Sequence, residues 1–527
     1  MFGNGFTVLS DSVLTGAALT TPENFWLKAL VLGFYSACVL VLWVYGVHRY
    51  FILWWYGRNK NNVPVPLKRY EEDELPPVTV QLAVFNEMYV VERLLDAVAA
   101  LDYPREKLQI QVLDDSTDET VGICRARVDH WAAQGLNIRH IHRTHREGFK
   151  AGALAEGLET ATGDFIVMFD ADFVPPADFI RRQIHHFSDP QVGFVQARWG
   201  HLNQSHSTLT ELQALFLNGH FVLEHTGRQR SGRFFSFSGT AGTWRKACIA
   251  DAGGWQHDTL VEDLDLSYRA QLKGWRGIYL VDQEVPAELP VDMAGFKSQQ
   301  HRWAKGFIQA MKKLWGKVWA SDLPLKVKLE CSVHLTNNMS YLFMVALAVL
   351  MFPALIYRVR LLDGMWAILF DISIFLGATC SVLSFYAYAQ RQIDGKWWKK
   401  IHFLPLLMGI AMGIALNQAR AVIEALLGHE SPFVRTPKYH VDGARKRDDS
   451  WRKKKYATAK NTLPYVELSF GIYFLAATIY SLFQGLWMAA PFMALFCWGF
   501  VYVGWLSLPR RRATMTVEAG EPGVAIS

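Results

Sequence analysis

Long apolar stretches at both ends of the chain flank one long, mostly polar region. A spanning helix needs about 20 mostly apolar residues, and five segments qualify, at about 27–54, 333–358, 365–389, 465–485 and 487–508. A sixth stretch, Leu404 to Leu416, is interrupted by Asn417, Gln418 and Arg420. An interfacial or re-entrant segment over 402–428 is therefore expected there in place of a full crossing. The first apolar stretch, in segment 1–57, is long and preceded by polar residues, so it reads as an anchor and not a cleaved signal. Between the first two spans, short apolar runs at Val78–Val84, Leu108–Leu113 and Phe165–Phe169 alternate with helical patterns around Val90–Leu101 and Thr120–Gln134. That alternation predicts a parallel α/β domain over 58–292. An amphipathic interface helix follows within 293–320, with Trp303, Phe307, Ile308, Met311 and Trp315 on its apolar face and Lys305, Lys312 and Lys313 on the other.

Composition agrees with a membrane-embedded chain: 51% of the 527 residues are hydrophobic, with 19 Trp and 33 Phe, too apolar for an ordinary soluble enzyme. The six Cys have no CxxC spacing, so neither a disulfide framework nor a thiolate metal site is indicated. A net charge of +6 is modest and gathers near the apolar segments, which fits membrane topology and not nucleic-acid binding. From Arg435 to Lys460 there are ten Lys or Arg against three Asp. The positive-inside rule puts that loop, 429–463, in the cytoplasm with the 58–292 domain, and five crossings within 1–508 then put the N-terminus outside. His334, Thr336, Asn337, Asn338 and Ser340, and again Asn417, Gln418, Arg420 and Glu424, should face protein or a wet cavity. The 509–527 tail is expected to be disordered.

Carboxylates at particular places carry the chemistry. In parallel α/β sheets ligands bind beyond the carboxyl ends of the strands. Asp114-Asp115 follows one predicted strand there, and Asp170-Ala171-Asp172 another. Asp170 and Asp172 suit a divalent cation that neutralises a leaving diphosphate; alone, they read equally well as a solvated turn. Asp114 and Asp115 suit hydrogen bonds to a base and ribose, or a helix N-cap. Arg143, Arg146 and Lys150 offer cations for a diphosphate, or simply form a solvated basic loop. Glu262-Asp263 follows the small-residue stretch Phe235–Trp244, where a sugar can approach the backbone, and Asp263 suits a general base for an acceptor hydroxyl. Gln299, Arg302 and Trp303 open the interface helix, where Trp303 offers a flat platform for a sugar ring.

Taken together, QVLDDSTDET, FDADF, VEDLDL and QQHRW resemble the membrane-bound processive glycosyltransferases of family 2, most of all the cellulose-synthase-like A proteins, which are β-1,4-mannan and glucomannan synthases. The resemblance runs from Pro77 to Trp315 and includes GTAGTWR, AGGW and LKGWRG. It implies a GT-A domain, the Rossmann-like nucleotide-diphospho-sugar transferase fold. Asp114, Asp115, Lys150 and Asp170 then belong at the nucleotide, and Asp170 and Asp172 at Mn2+ or Mg2+. Asp263 becomes the base, while Glu262, Gln299, Arg302 and Trp303 line the acceptor and diphosphate site. Phe433, Thr436 and Lys438 are similar to the FxVTxK gating loop of cellulose synthases, with Arg435 where that family has Val. The implied reaction is inverting, from GDP-mannose or UDP-glucose to a growing glycan chain. A membrane lipid as single-sugar acceptor is the alternative, and a transporter carrying an inactive domain a more distant one. Ser238 departs from the Asn expected of plant mannan synthases, which leaves the donor open. The implied location is a bacterial inner membrane or a plant Golgi membrane.

Overall fold

The computed structural model describes residues 25–358, 375–429, 436–441 and 462–508. Seven strands form one mixed sheet: β1 (Val78–Val84), β2 (Leu108–Asp114), β3 (Ile138–His142), β4 (Phe165–Asp170), β5 (Val192–His201), β6 (Gly242–Arg245) and β7 (Arg276–Ala287), in the order β3-β2-β1-β4-β6-β5-β7. β1 pairs in parallel with β2 and β4, and β2 in parallel with β3, whereas the short β6 runs antiparallel between β4 and β5. The three strands anticipated from the apolar runs are present, and their central residues are buried on both faces, as a parallel sheet covered by helices requires. Helices Val91–Ala99 and Thr120–Ala133 occupy the expected intervals. The register of β1 with β2 and β4 aligns Val84 with Asp114 and Ala83 with Asp170. Both acidic motifs therefore leave the same edge of the sheet.

Among the described residues, four helices are long and apolar enough to cross a membrane, Trp26–Asn59, Leu325–Tyr357, Leu463–Phe483 and Ala490–Ser507, and the chain is a multi-pass membrane protein. The ambiguous stretch is two helices, Phe403–Gly413 and Ala415–Leu426, bent by 43° at their junction and counting as a fifth span if taken as one. Of the expected span at 365–389, the described part begins with the π-helical turn Phe375–Cys380 and continues as Ser381–Ile393. Phe433, Arg435 and the 509–527 tail lie outside the described residues.

The amphipathic segment forms one helix, Met293–Ala320, whose N-terminus is capped by the Asp292 carboxylate accepting from Gly295 N at 2.6 Å. Its basic side departs from the sequence expectation. Lys305 is fully buried, with Nζ 3.3 Å from Glu424, and Lys312 donates to the carbonyls of Ala425 and Leu426. Lys313 pairs with Asp258 at 2.6 Å and Asp265 at 3.0 Å. Lys305 and Lys312 meet protein because helix Ala415–Leu426 packs along their side, and Lys313 because helix Glu262–Leu272 and the loop before it pack along its own. Its Asn417 and Gln418 side chains donate to the carbonyls of Lys297 and Gln300 at 3.0 and 3.1 Å, so the polar residues that interrupt the apolar stretch clasp the interface helix.

Candidate active site

A cavity of about 600 Å³ opens at the carboxyl edge of β1, β2 and β4 and continues between the membrane helices. It brings together Asp115, Lys150, Asp170, Asp172, Glu262, Asp263, Gln299, Arg302, Trp303, Thr436 and Lys438. Asp114, adjacent to Asp115 in sequence, does not line it. Successive side chains at a strand end point to opposite faces, and Asp114 turns inward, accepting from Ser116 N at 2.8 Å and bonding His140 Nε2 at 2.8 Å. Burial works against its ionisation, yet the bonds from His140 and Ser116 prevail and hold its carboxyl below the usual range. It caps no helix: the helix Thr120–Ala133 takes its bond at that end from Asp118, which accepts from Thr120 N at 3.0 Å.

Asp115 is gripped by Arg143, whose Nε and Nη2 each donate to one carboxylate oxygen at 2.6 Å, with both side chains buried. Arg143 is thus committed to Asp115 and does not stand as a free phosphate ligand, which narrows the expectation for that loop. Arg146 lies over the Phe85 ring, 3.3 Å from its centroid, at the cavity wall. Its neighbour Lys150 bonds Asp170 and donates to the Gly239 carbonyl at 2.9 Å. Burial disfavours the Lys150 ammonium, but the charges of Asp170 and Glu262 outweigh it and raise its pKa.

Asp172 meets a second ammonium, Lys438 Nζ, at 2.6 Å. The Glu288 carbonyl also accepts from Lys438, and the Glu288 carboxylate accepts from Tyr439 N at 2.8 Å. Val291, Tyr439 and Val441 form a small apolar cluster beneath this contact. Each carboxylate of the Asp170–Asp172 pair therefore faces a positive charge across the cavity. Two such hard oxygen donors one residue apart fit a divalent cation.

Glu262 and Asp263 begin the helix Glu262–Leu272, where the helix dipole favours negative charge. Burial nevertheless dominates and raises both carboxyls. The neighbouring Glu262 charge adds to the effect on Asp263, whose pKa is pushed up to about 7 against the pull of Lys150. Gly239, at φ +78°, holds a left-handed backbone that a side chain would strain, and a Cβ there would lie 2.9 Å from Asp263 Oδ2. The small-residue stretch thus admits the carboxylate itself to the backbone.

Trp303 is half-buried against the Trp199 ring, 6.4 Å between centroids. Beyond it, on the membrane side, the polar side chains of Tyr45, Asn337, Asn338, Ser340 and Gln418 line the cavity among apolar ones such as Met344, Leu347, Leu407 and Phe496, so these intramembrane polar residues do face a cavity. A network not foreseen from motifs, buried at Arg228 and Glu330, joins this wall. Glu224, on the π-helical turn Gly219–His225, pairs with His220 at 3.0 Å and Arg228 at 3.2 Å, and Arg228 reaches Glu330 at 2.7 Å. A π-turn is a local departure from helical spacing often found at functional sites, and it leaves no simple periodic signal in a sequence.

Residues 76–306 match the family described as glycosyltransferase like family 2. Glucomannan 4-beta-mannosyltransferase 2 of Arabidopsis thaliana is 42% identical over 270 residues, covering 50% of this chain and 51% of that protein. Glucomannan 4-beta-mannosyltransferase 1 of Oryza sativa subsp. japonica is 39% identical over 270 residues, covering the same shares. The chain spans about half the length of these curated relatives. Among solved structures, mannosyltransferase PcManGT from Pyrobaculum calidifontis in complex with GDP-Man and Mn2+ aligns with a TM-score of 0.49 and 20% identity, over 75% of this chain and all of that one. The seven-stranded domain has the GT-A fold.

Proposed function

We propose, from the premise that residues 76–306 are a family 2 glycosyltransferase domain, that the protein is an inverting polysaccharide synthase. It transfers mannose from GDP-mannose to the end of a β-1,4-linked chain and passes the product between its membrane helices. The relatives named for glucomannan 4-beta-mannosyltransferase favour mannose over glucose, and UDP-glucose is the competing donor. One observation carries the reading: a continuous cavity runs from Asp115 and Asp170, past Asp263 and Trp303, to Asn337, Asn338 and Ser340 on the membrane helices. The polar side chains spaced along that extension suit a passing glycan, and a lipid chain would not call for them. The 58–292 domain and the loop around Lys438 then face the cytoplasm, where nucleotide sugars are made.

In this reading Asp115, held rigid by Arg143, receives the nucleoside by hydrogen bonds. Lys150 and Arg302 supply positive charge beside the diphosphate. Asp170 and Asp172 would hold Mn2+ or Mg2+, which when bound neutralises charge developing on the leaving phosphate. Trp303 and Gln299 position the terminal sugar of the acceptor. Asp263 takes the proton of the acceptor hydroxyl as that oxygen bonds to the anomeric carbon from the face opposite the diphosphate. The bond from that carbon to the phosphate oxygen breaks, its electron pair stays with the nucleoside diphosphate, and the α-linked donor yields a β-linkage. Thr436 and Lys438 lie over the donor and exclude water.

The test is incubation of the purified, detergent-solubilised protein with labelled GDP-mannose or UDP-glucose and Mn2+ or Mg2+, with products resolved by size and glycanase sensitivity. High-molecular-weight material cut by β-mannanase is expected. Label confined to a lipid extract would overturn the polymer reading in favour of a lipid acceptor, and β-glucanase sensitivity alone would overturn the donor.

A further inference from the structure

A second cavity, about 460 Å³, shares no lining residue with the first. It lies where the chain leaves the first membrane helix, between the Val63–Pro66 stretch, the short helix Phe179–Ile184 and β7 at Tyr279–Asp282. Arg69, Arg181, Arg182 and Arg230 line it with His185 and His186, against the single carboxylate of Asp282. Some of that charge is already matched. Arg181 pairs with Glu72 and Asp102, and Arg182 donates to the Asp282 carbonyl at 3.0 Å.

The rest is not. Tyr279 is wholly buried, yet its hydroxyl has no hydrogen-bond partner among the described residues. Arg230 donates through Nη1 to the Lys60 carbonyl, while its buried Nε has no acceptor among the described residues. His185 accepts from Tyr70 N at Nδ1 across 3.0 Å, so its neutral ring carries the proton on Nε2 and is one more donor. Burial, with the Arg69 charge next, keeps His185 neutral, and His186 is pushed down to about 4 by burial, His185 and Arg69. Buried polar groups are rarely left unpaired, and each that is calls for an explanation. Here the unmet groups are N–H and O–H donors in a field of guanidinium charge, so the missing partner is an acceptor-rich anion.

We propose that this cavity is a binding site for a phosphate-bearing ligand, separate from the catalytic cavity, with Tyr279, Arg230 and Arg69 as its principal donors. Planar guanidinium forks suit phosphate oxygens. The phosphate has two possible sources. Val63, Val65 and Leu67 are exposed beside the pocket and just beyond the first membrane helix, which brings lipid headgroups within reach; a soluble diphosphate offers the same chemistry.

The experiment uses the full chain in nanodiscs. In one arm, phosphatidylcholine discs with EDTA present are titrated calorimetrically with inorganic pyrophosphate. In the other, phosphatidylglycerol discs are compared with phosphatidylcholine discs for lipid retained after detergent extraction. Tyr279→Phe, which removes one oxygen, and Arg69→Gln, at an exposed residue, are measured alongside with thermal unfolding as a check on folding. Uptake weakened about tenfold by either variant is expected. Loss in the pyrophosphate arm alone identifies a soluble ligand, loss in the lipid arm alone a headgroup, and each outcome supports the site. Uptake in neither arm, or uptake unchanged by both variants, would overturn it.

Discussion

Lys438 Nζ lies 2.6 Å from Asp172 Oδ2, so an ammonium from the 436–441 segment sits against a carboxylate of the acidic pair that leaves β4. That ammonium and a divalent cation have to compete for one carboxylate. Lys438→Ala should therefore increase Mn2+ affinity several-fold when no nucleotide is present, while Asp172→Asn should weaken metal-dependent donor binding. Titrating Mn2+ by electron paramagnetic resonance measures both. Equal Mn2+ affinity in the Lys438→Ala and native proteins would show that the two cations do not share the oxygen.

Asp263→Asn should abolish polymer synthesis and leave nucleotide-sugar binding largely intact. It should also stabilise the unliganded protein. The folded-state carboxyl titrates near 7, above its ordinary value of 3.8, so the native state binds the proton more tightly than the unfolded chain. Stability then falls as pH rises from about 4 to 7 and stays low above it. Relative to the native chain, the neutral amide should gain ~1–2 kcal/mol at pH 8, and the gain should vanish towards pH 4. Thermal unfolding in detergent across that range reads it directly.

The same titration sets an acid limb on catalysis. With Asp263 acting as base, log kcat/KM should rise with unit slope as pH increases to about 7 and level off above it. Binding of metal and diphosphate changes the charge around the carboxyl, so the limb in kcat alone should lie at a different pH. Initial rates at subsaturating and saturating donor separate the two. A flat kcat/KM profile between pH 5 and pH 8 would rule out Asp263 as the titrating base.

Much of this arrangement was legible in the chain because parallel strands put their chemistry at one end. The apolar runs located β1, β2 and β4, and the acidic residues immediately after two of them had to emerge at the carboxyl edge. Motifs did not reveal which of two adjacent aspartates faces the cavity. Asp114 and Asp115 have the same chemistry and opposite directions, and the partners brought by the fold, His140 at Asp114 and Arg143 at Asp115, decide between them. The inserted β6 was equally hidden: four residues long and antiparallel, it has no alternation long enough to read. Lys305 looked like a headgroup-facing lysine because its partner Glu424 is more than a hundred residues away in the sequence.

Arg143→Lys keeps a positive charge but loses the fork that holds both oxygens of Asp115. The freed carboxylate should orient the nucleoside poorly, raising KM for the donor about tenfold with little change in kcat. A fall in kcat with unchanged KM would mean that Asp115 takes part in the transfer step and not in donor binding.

The clasp of Asn417 and Gln418 on the carbonyls of Lys297 and Gln300 ties Gln299–Trp303 mechanically to the membrane helices, while Asp115, Asp170 and Asp172 are carried by the sheet. In the proposed reaction the donor and acceptor residues therefore belong to different halves of the molecule, and alignment of the reacting atoms would be a property of how those halves dock. A sheet domain grafted from a relative would bring its own taste in sugars, but grip on the growing chain would stay with the host membrane helices.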